Sequence, residues 1–165
     1  MNADSHETEG LLEVSLGRSE WSVSALSSLL RVLQAALREF ARSTDRTREL
    51  FVDPSRPLLR ASAEVSGDDL VLSFSFEVPG ESEASDELSR IAFDRLMRGL
   101  SDFIKVLPQK GLWGETVAGP GAPRQDSATS RRLDELRMEL RRFPRVRLRH
   151  GTRSIIFEGD RMEIH

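Results

Sequence analysis

The chain has 165 residues, 38% hydrophobic and 31% charged, the size and balance of one globular domain with its own core. It has no Cys, which excludes disulfides, thiolate metal sites and cysteine nucleophiles. The net charge of −3 conceals a split: residues 1–123 carry −7, residues 124–153 carry +6, and the last twelve carry −2.

Residues 1–10 form an acidic tail with Asp4, Glu7 and Glu9. The tail is expected to be disordered and is opposite in charge to the start of a signal peptide. No apolar run reaches the roughly 18–20 residues of a membrane span. A cytoplasmic protein without membrane contact is therefore expected. From Leu11 to Gly17, Leu12, Val14 and Leu16 alternate with Glu13 and Ser15, the period of a strand with one buried face. Ser19 or Ser22 then offers a helix N-cap. Leu26, Leu30, Leu33, Leu37 and Phe40 follow as one apolar stripe of a long helix. Ser43 to Pro57 is polar, ends in Asp-Pro and Arg-Pro, and reads as a loop.

Two alternating runs come next. Leu59, Ala61, Ala63 and Val65 oppose Phe76, Phe74, Leu72 and Leu70 if the chain folds about Gly67-Asp68. Gly accepts the positive φ that such a turn requires. Small residues then face large ones on a side expected to be buried. Pro79-Gly80 ends the second strand. Ser85 reads as the cap of a second helix, whose stripe is Leu88, Ile91, Ala92, Leu96, Leu100, Phe103, Ile104 and Leu107. Pro108 stops it. Residues 108–126 are a Gly- and Pro-rich linker without a period.

A charged third helix from about Ser130 to Phe143 presents Leu133, Leu136, Leu140 and Phe143 on one face. Beyond Pro144 a meander turns at Gly151-Thr152 and Gly159-Asp160. Its register sets Val146 and Leu148 against Phe157 and Ile155, and those against Met162 and Ile164. The order is a β-α-β-β-α unit over 11–107, most of a ferredoxin-like layout. A helix and a three-stranded antiparallel meander follow over 127–165. That last segment is too short for a core of its own, so it is expected to dock on the first unit, in cis or swapped into a second copy. The fold class expected is an α+β two-layer sandwich in one domain.

The basic segment supplies the first candidate site. Arg145, Arg147 and Arg149 alternate on one strand face, about 7 Å apart, with Arg141 and Arg142 upstream and Arg153 on the next strand. Such a row could track a phosphate backbone or meet an acidic protein. The same register also offers internal acids. Arg145 opposes Glu158, which opposes Arg161, and Ile156 beside Arg147 opposes Glu163; only the row Arg149, Ser154, His165 has none. Exposed pairs contribute about 0–1 kcal/mol each, so a self-compensated face competes with a binding face. No aromatic ring accompanies the arginines for base stacking, because Phe143 and Phe157 point toward the core.

Trp113 in the linker is a candidate anchor for a partner, or a tether of the linker to the body. The apolar face of the charged helix could meet its own copy, which makes a homodimer a candidate assembly. Catalytic signals are weaker. Of the three histidines only His150 falls on an ordered element, and no G-x-S-x-G, H-E-x-x-H or Walker A pattern is present. Glu81, Glu83, Asp86 and Glu87 suit a helix start better than a dedicated cation site. No catalytic residue, metal ligand or cofactor is assigned. The function expected is a non-enzymatic protein–protein interaction module, an adaptor or regulatory component. The alternatives are RNA or DNA binding through the arginine strand, and an enzyme whose groups converge only in three dimensions.

Overall fold

Leu12, Val14 and Leu16 are almost wholly buried while Glu13 and Ser15 turn to the opposite face, as strand alternation demands. They belong to strand β1 (Leu12–Leu16) of a computed structural model that describes residues 10–17, 22–42, 45–51, 57–106, 127–159 and 161–165. β1 pairs antiparallel on both sides, with β3 (Asp69–Glu77) and with β4 (Arg145–His150). β2 (Leu58–Ser66) folds onto β3 about Gly67, whose φ of +61° suits the turn. β5 (Arg153–Glu158) and β6 (Arg161–Ile164) complete a six-stranded antiparallel sheet in the order β2-β3-β1-β4-β5-β6. The pairs expected in the hairpin and the meander are found, from Val65 with Leu70 to Phe157 with Met162.

Three helices cover one face of this sheet. α1 (Val23–Ala41) is capped by Ser22, whose Oγ accepts a hydrogen bond from the Ala25 amide at 3.0 Å. A single helical turn (Asp45–Arg48) and a 3₁₀ turn (Glu49–Phe51) lie within the segment expected to be loop. α2 (Ser82–Val106) lies on β3 and reaches β4 and β5, and α1 packs against both α2 and α3 (Ser127–Leu140). Their shared cluster joins Leu33, Leu37 and Phe40 to Phe93 and Leu96, and these to Leu136 and Leu140.

α2 begins ahead of the expected cap, Ser85. The Ser85 hydroxyl instead donates to the Glu81 carbonyl and accepts from the Val78 amide, both at 2.8 Å. The buried Ser89 hydroxyl accepts from the Phe76 amide at 2.9 Å. Both amides lie past the end of β1, which stops at Leu12 opposite Phe74, so the two serines satisfy groups the ladder cannot reach.

Two expectations need correction. The third helix ends at Leu140 rather than Phe143, and Leu133, Leu136, Leu140 and Phe143 are all buried within the chain. That face meets α1 and α2, so it is not a surface for a second copy. The hairpin's apolar side is covered on one strand only. Leu72 and Phe74 on β3 are buried, yet Ala63 and Ala61 opposite them are exposed and Val65 is 75% exposed. β2 is the edge strand, and the helices cover β3 while leaving β2 largely in solvent. The tail (1–9), Trp21, the linker (108–126) and the side chains of Phe103, Ile104 and Leu107 lie outside the described residues.

α2 and α3 come close at Gly99, where a Cβ would lie 2.8 Å from Leu133 Cδ1. Leu133 is itself buried, so added methyl groups have little room. Gly99→Val is expected to lower stability by about 1–3 kcal/mol. Leu133→Ala in the same chain is expected to recover part of that loss, read as non-additivity in urea denaturation of the four proteins.

Arg137 on α3 is buried beside Asp134, with which it forms an ion pair. Burial pushes its guanidinium pKa down to about 10. The unfolded chain holds the proton more firmly. The buried charge therefore costs stability at every pH below about 10, and that cost fades as the pH rises above it. Arg137→Met keeps the apolar stem without the charge, and Asp134 is exposed enough to be solvated. Calorimetry is expected to place the melting temperature of R137M within about 3 °C of the wild type, and that of R137A at least about 4 °C below it.

Candidate interaction surface

The alternation of β4 that buries Val146 and Leu148 leaves Arg145, Arg147 and Arg149 exposed on the sheet face away from the helices. The strands on either side fix their neighbours. β1 contributes Glu13 and Ser15, β5 contributes Ser154, Ile156 and Glu158, and β6 contributes Arg161 and Glu163. Farther across, β3 adds Val71, Ser73, Ser75 and Glu77. The result is an open, mixed-charge face with two partly covered aliphatic residues, Val71 and Ile156.

The three arginines are not equivalent. Arg149 lies opposite Glu13, and its Nη1 is 3.9 Å from the Glu13 carboxylate. The row expected to lack an acid therefore has one, supplied by β1 rather than by the meander. His165 at the far end of that row pairs with Glu163, Nε2 to Oε2 at 3.3 Å. Arg147 stands between Ser15 and Ile156. Arg145 stands across from Glu158 in register, as expected. Yet among the described residues neither Arg145 nor Arg147 has a carboxylate at ion-pair distance.

The remaining arginines divide differently. Arg141 and Arg142 are exposed in the turn between α3 and β4, and Arg142 lies 3.6 Å from Glu139. Arg153 pairs with His150 across the strands and so shares the helix-covered face, where it reaches Asp94 of α2 at 3.7 Å. It is not part of the arginine row. Trp113 lies outside the described residues. Sequence reasoning missed Glu13 as a member of this surface. Its alternation assigned it to a polar face, but nothing local could say which strand lay beside it.

His150 has structural company. Its Nδ1 lies 3.2 Å from the Leu11 carbonyl, and its ring meets Phe93 edge-on with centroids 5.5 Å apart. No hydroxyl nucleophile is hydrogen-bonded to it among the described residues. A cavity of about 510 Å³ opens between the turns after α1 and the start of α2. Thr47, Leu50, Gly80, Ser82 and Ala84 line it with Glu81, Glu83 and Glu87. Three of the four acids singled out in the sequence thus border one cleft. No group of three His, Asp or Glu able to hold a metal ion occurs among the described residues. No described helix is long and apolar enough to cross a membrane.

Compared with known proteins, the chain matches no protein-family model, no curated protein and no solved structure.

Proposed function

We propose that the protein is a non-enzymatic protein–protein interaction module, an adaptor or regulatory component of the cytoplasm. It acts through the open sheet face around Arg145 and Arg147, which receives an acidic patch of a protein partner. Its layout in this reading is a single ferredoxin-like-type domain, with β4 as the strand completing the β-α-β-β-α unit and β5 and β6 as an extension. Fold alone would not carry the functional part of this reading.

The observation that carries it is the pair Arg145 and Arg147. Both guanidiniums are exposed on a face the helices leave open, and neither has a carboxylate at ion-pair distance among the described residues. Arg forks recognise carboxylates bidentately, and Ile156 beside Arg147 adds apolar contact at the centre of the patch. Nucleic acid suits the face less well. Its described strand positions carry no Phe or Trp to stack on bases, and Glu13, Glu158 and Glu163 would repel phosphates.

The double variant Arg145→Glu/Arg147→Glu tests this without touching the core. Immobilised wild-type protein is expected to retain a specific acidic partner from a cell extract, and the variant to release it while unfolding at the same temperature. Mixed-sequence single-stranded RNA and duplex DNA form the second arm. Binding there that falls steeply with salt and disappears in the variant would replace this reading with nucleic-acid recognition. Equal behaviour of the two proteins in both arms would sink both.

A further inference from the structure

Among the described residues, β2 offers a long edge with no strand beside it. Its nine residues contain no Pro and no Lys, and eight of them are exposed. The opposite edge, β6, spans four residues. A long, uncovered edge strand is a template for another strand unless something blocks it.

The phase of the free backbone groups follows from the hairpin. A two-residue turn makes Ser66–Asp69 a pair that exchanges both of its hydrogen bonds. Glu64, Ser62, Arg60 and Leu58 therefore direct their backbone groups at β3, and Val65, Ala63, Ala61 and Leu59 direct theirs outward. The far side of β3 agrees. The Phe76 and Val78 amides face away from β2, since Ser89 and Ser85 accept them.

The sequence of β2 is self-complementary about Ser62. Ala61 and Ala63 flank it, then Arg60 and Glu64, then Leu59 and Val65. We propose that the protein is a two-fold homodimer in which β2 pairs antiparallel with β2 of a second copy, centred on Ser62. Ala61 then pairs with Ala63 of the partner, and Leu59 with Val65, at positions where the outward backbone groups bond to each other. Arg60 meets Glu64 twice, at the closely spaced positions between those bonds. Centring on Ala61 or Ala63 would also align the backbone, but would set Arg60 against a serine. The charges choose Ser62.

Glu64 has no ion-pair partner among the described residues. Arg60 already pairs with Glu77 of β3, and its five donors can bridge both acids. On the helix side, Val65 of each copy gains Leu59 of the other, covering the apolar edge the monomer leaves in solvent. The interface is isologous, as a closed dimer requires. It does not rest on the reading of the arginine face, and separate residues test the two.

The full chain in sedimentation equilibrium is expected to show twice the chain mass. Glu64→Arg sets like charges opposite each other twice and is expected to weaken the dimer at least about tenfold. Adding Arg60→Glu is expected to restore it. Ala63→Pro deletes an outward amide while sparing the ladder to β3, and is expected to give a folded monomer by circular dichroism. The chain has no Cys, so Ser62→Cys places one thiol on the axis, about 4.5 Å from its copy between Cα atoms, within disulfide reach. Mild oxidation is expected to join it into a covalent dimer, and to leave Ser66→Cys unjoined. A wild-type monomer up to about 100 µM with no Ser62→Cys cross-link overturns the proposal. So does a dimer indifferent to Glu64→Arg. If Ala63→Pro fails to fold, the cross-link decides.

Discussion

Everything in the sheet depends on a five-residue strand that is hydrogen-bonded on both sides. β1 joins a hairpin, β2–β3, to a meander, β4–β6, whose sequence begins more than a hundred residues later. Without it the two halves would each be small sheets with one apolar face and two open edges, marginal in water. With it, Leu12, Val14 and Leu16 become the floor on which both halves share one core. The cost is the entropy of closing a long loop, which grows only slowly with its length. Burial of three aliphatic side chains, about 1.5–3 kcal/mol each, is of a size to offset it.

The position of β1 also decides the electrostatics of the open face. Because β1 runs beside β4, Glu13 stands opposite Arg149, and Ser15 stands opposite Arg147. One long-range pairing thereby neutralises one end of the arginine row and leaves Arg147 among uncharged neighbours. Residues 124–153 hold ten arginines, but they do not share one surface. Arg137 is buried in the helix layer, Arg153 is held by Asp94, and Arg149 by Glu13. The patch that remains on the sheet is narrow and edged with carboxylates, which favours a partner of matching outline over a uniform polyanion.

Legibility followed sequence separation. The hairpin and meander registers could be read because turn glycines and small-large alternation fix them within twenty residues, and every pair named was found. Helix stripes were visible for the same reason, though the start of α2 was misplaced. Ser85 looks like a cap, and only the presence of the Val78 amide explains why it sits inside the helix. Neither the β1–β4 pairing nor the bareness of β2 has a local signature. Alternation shows that a strand has an apolar face; it does not show whether anything covers that face.

The two edges of the sheet show how such a face can be left uncovered. β6 is short and is followed by His165, whose backbone exchanges two hydrogen bonds with Ser154, at 2.8 and 3.0 Å. β2 is long, but the middle of its apolar side is Ala61 and Ala63, which expose little area between Leu59 and Val65, and its other side carries Arg60 and Glu64. Larger residues at 61 and 63 would present the kind of flat apolar edge that aggregates. Lysines would blunt the edge outright. Small residues with one charge of each sign do neither. They keep a free monomer tolerable in water and still leave the strand able to accept a neighbour whose charges run in the opposite order, and an antiparallel copy of β2 is the sequence that meets that condition with no further design.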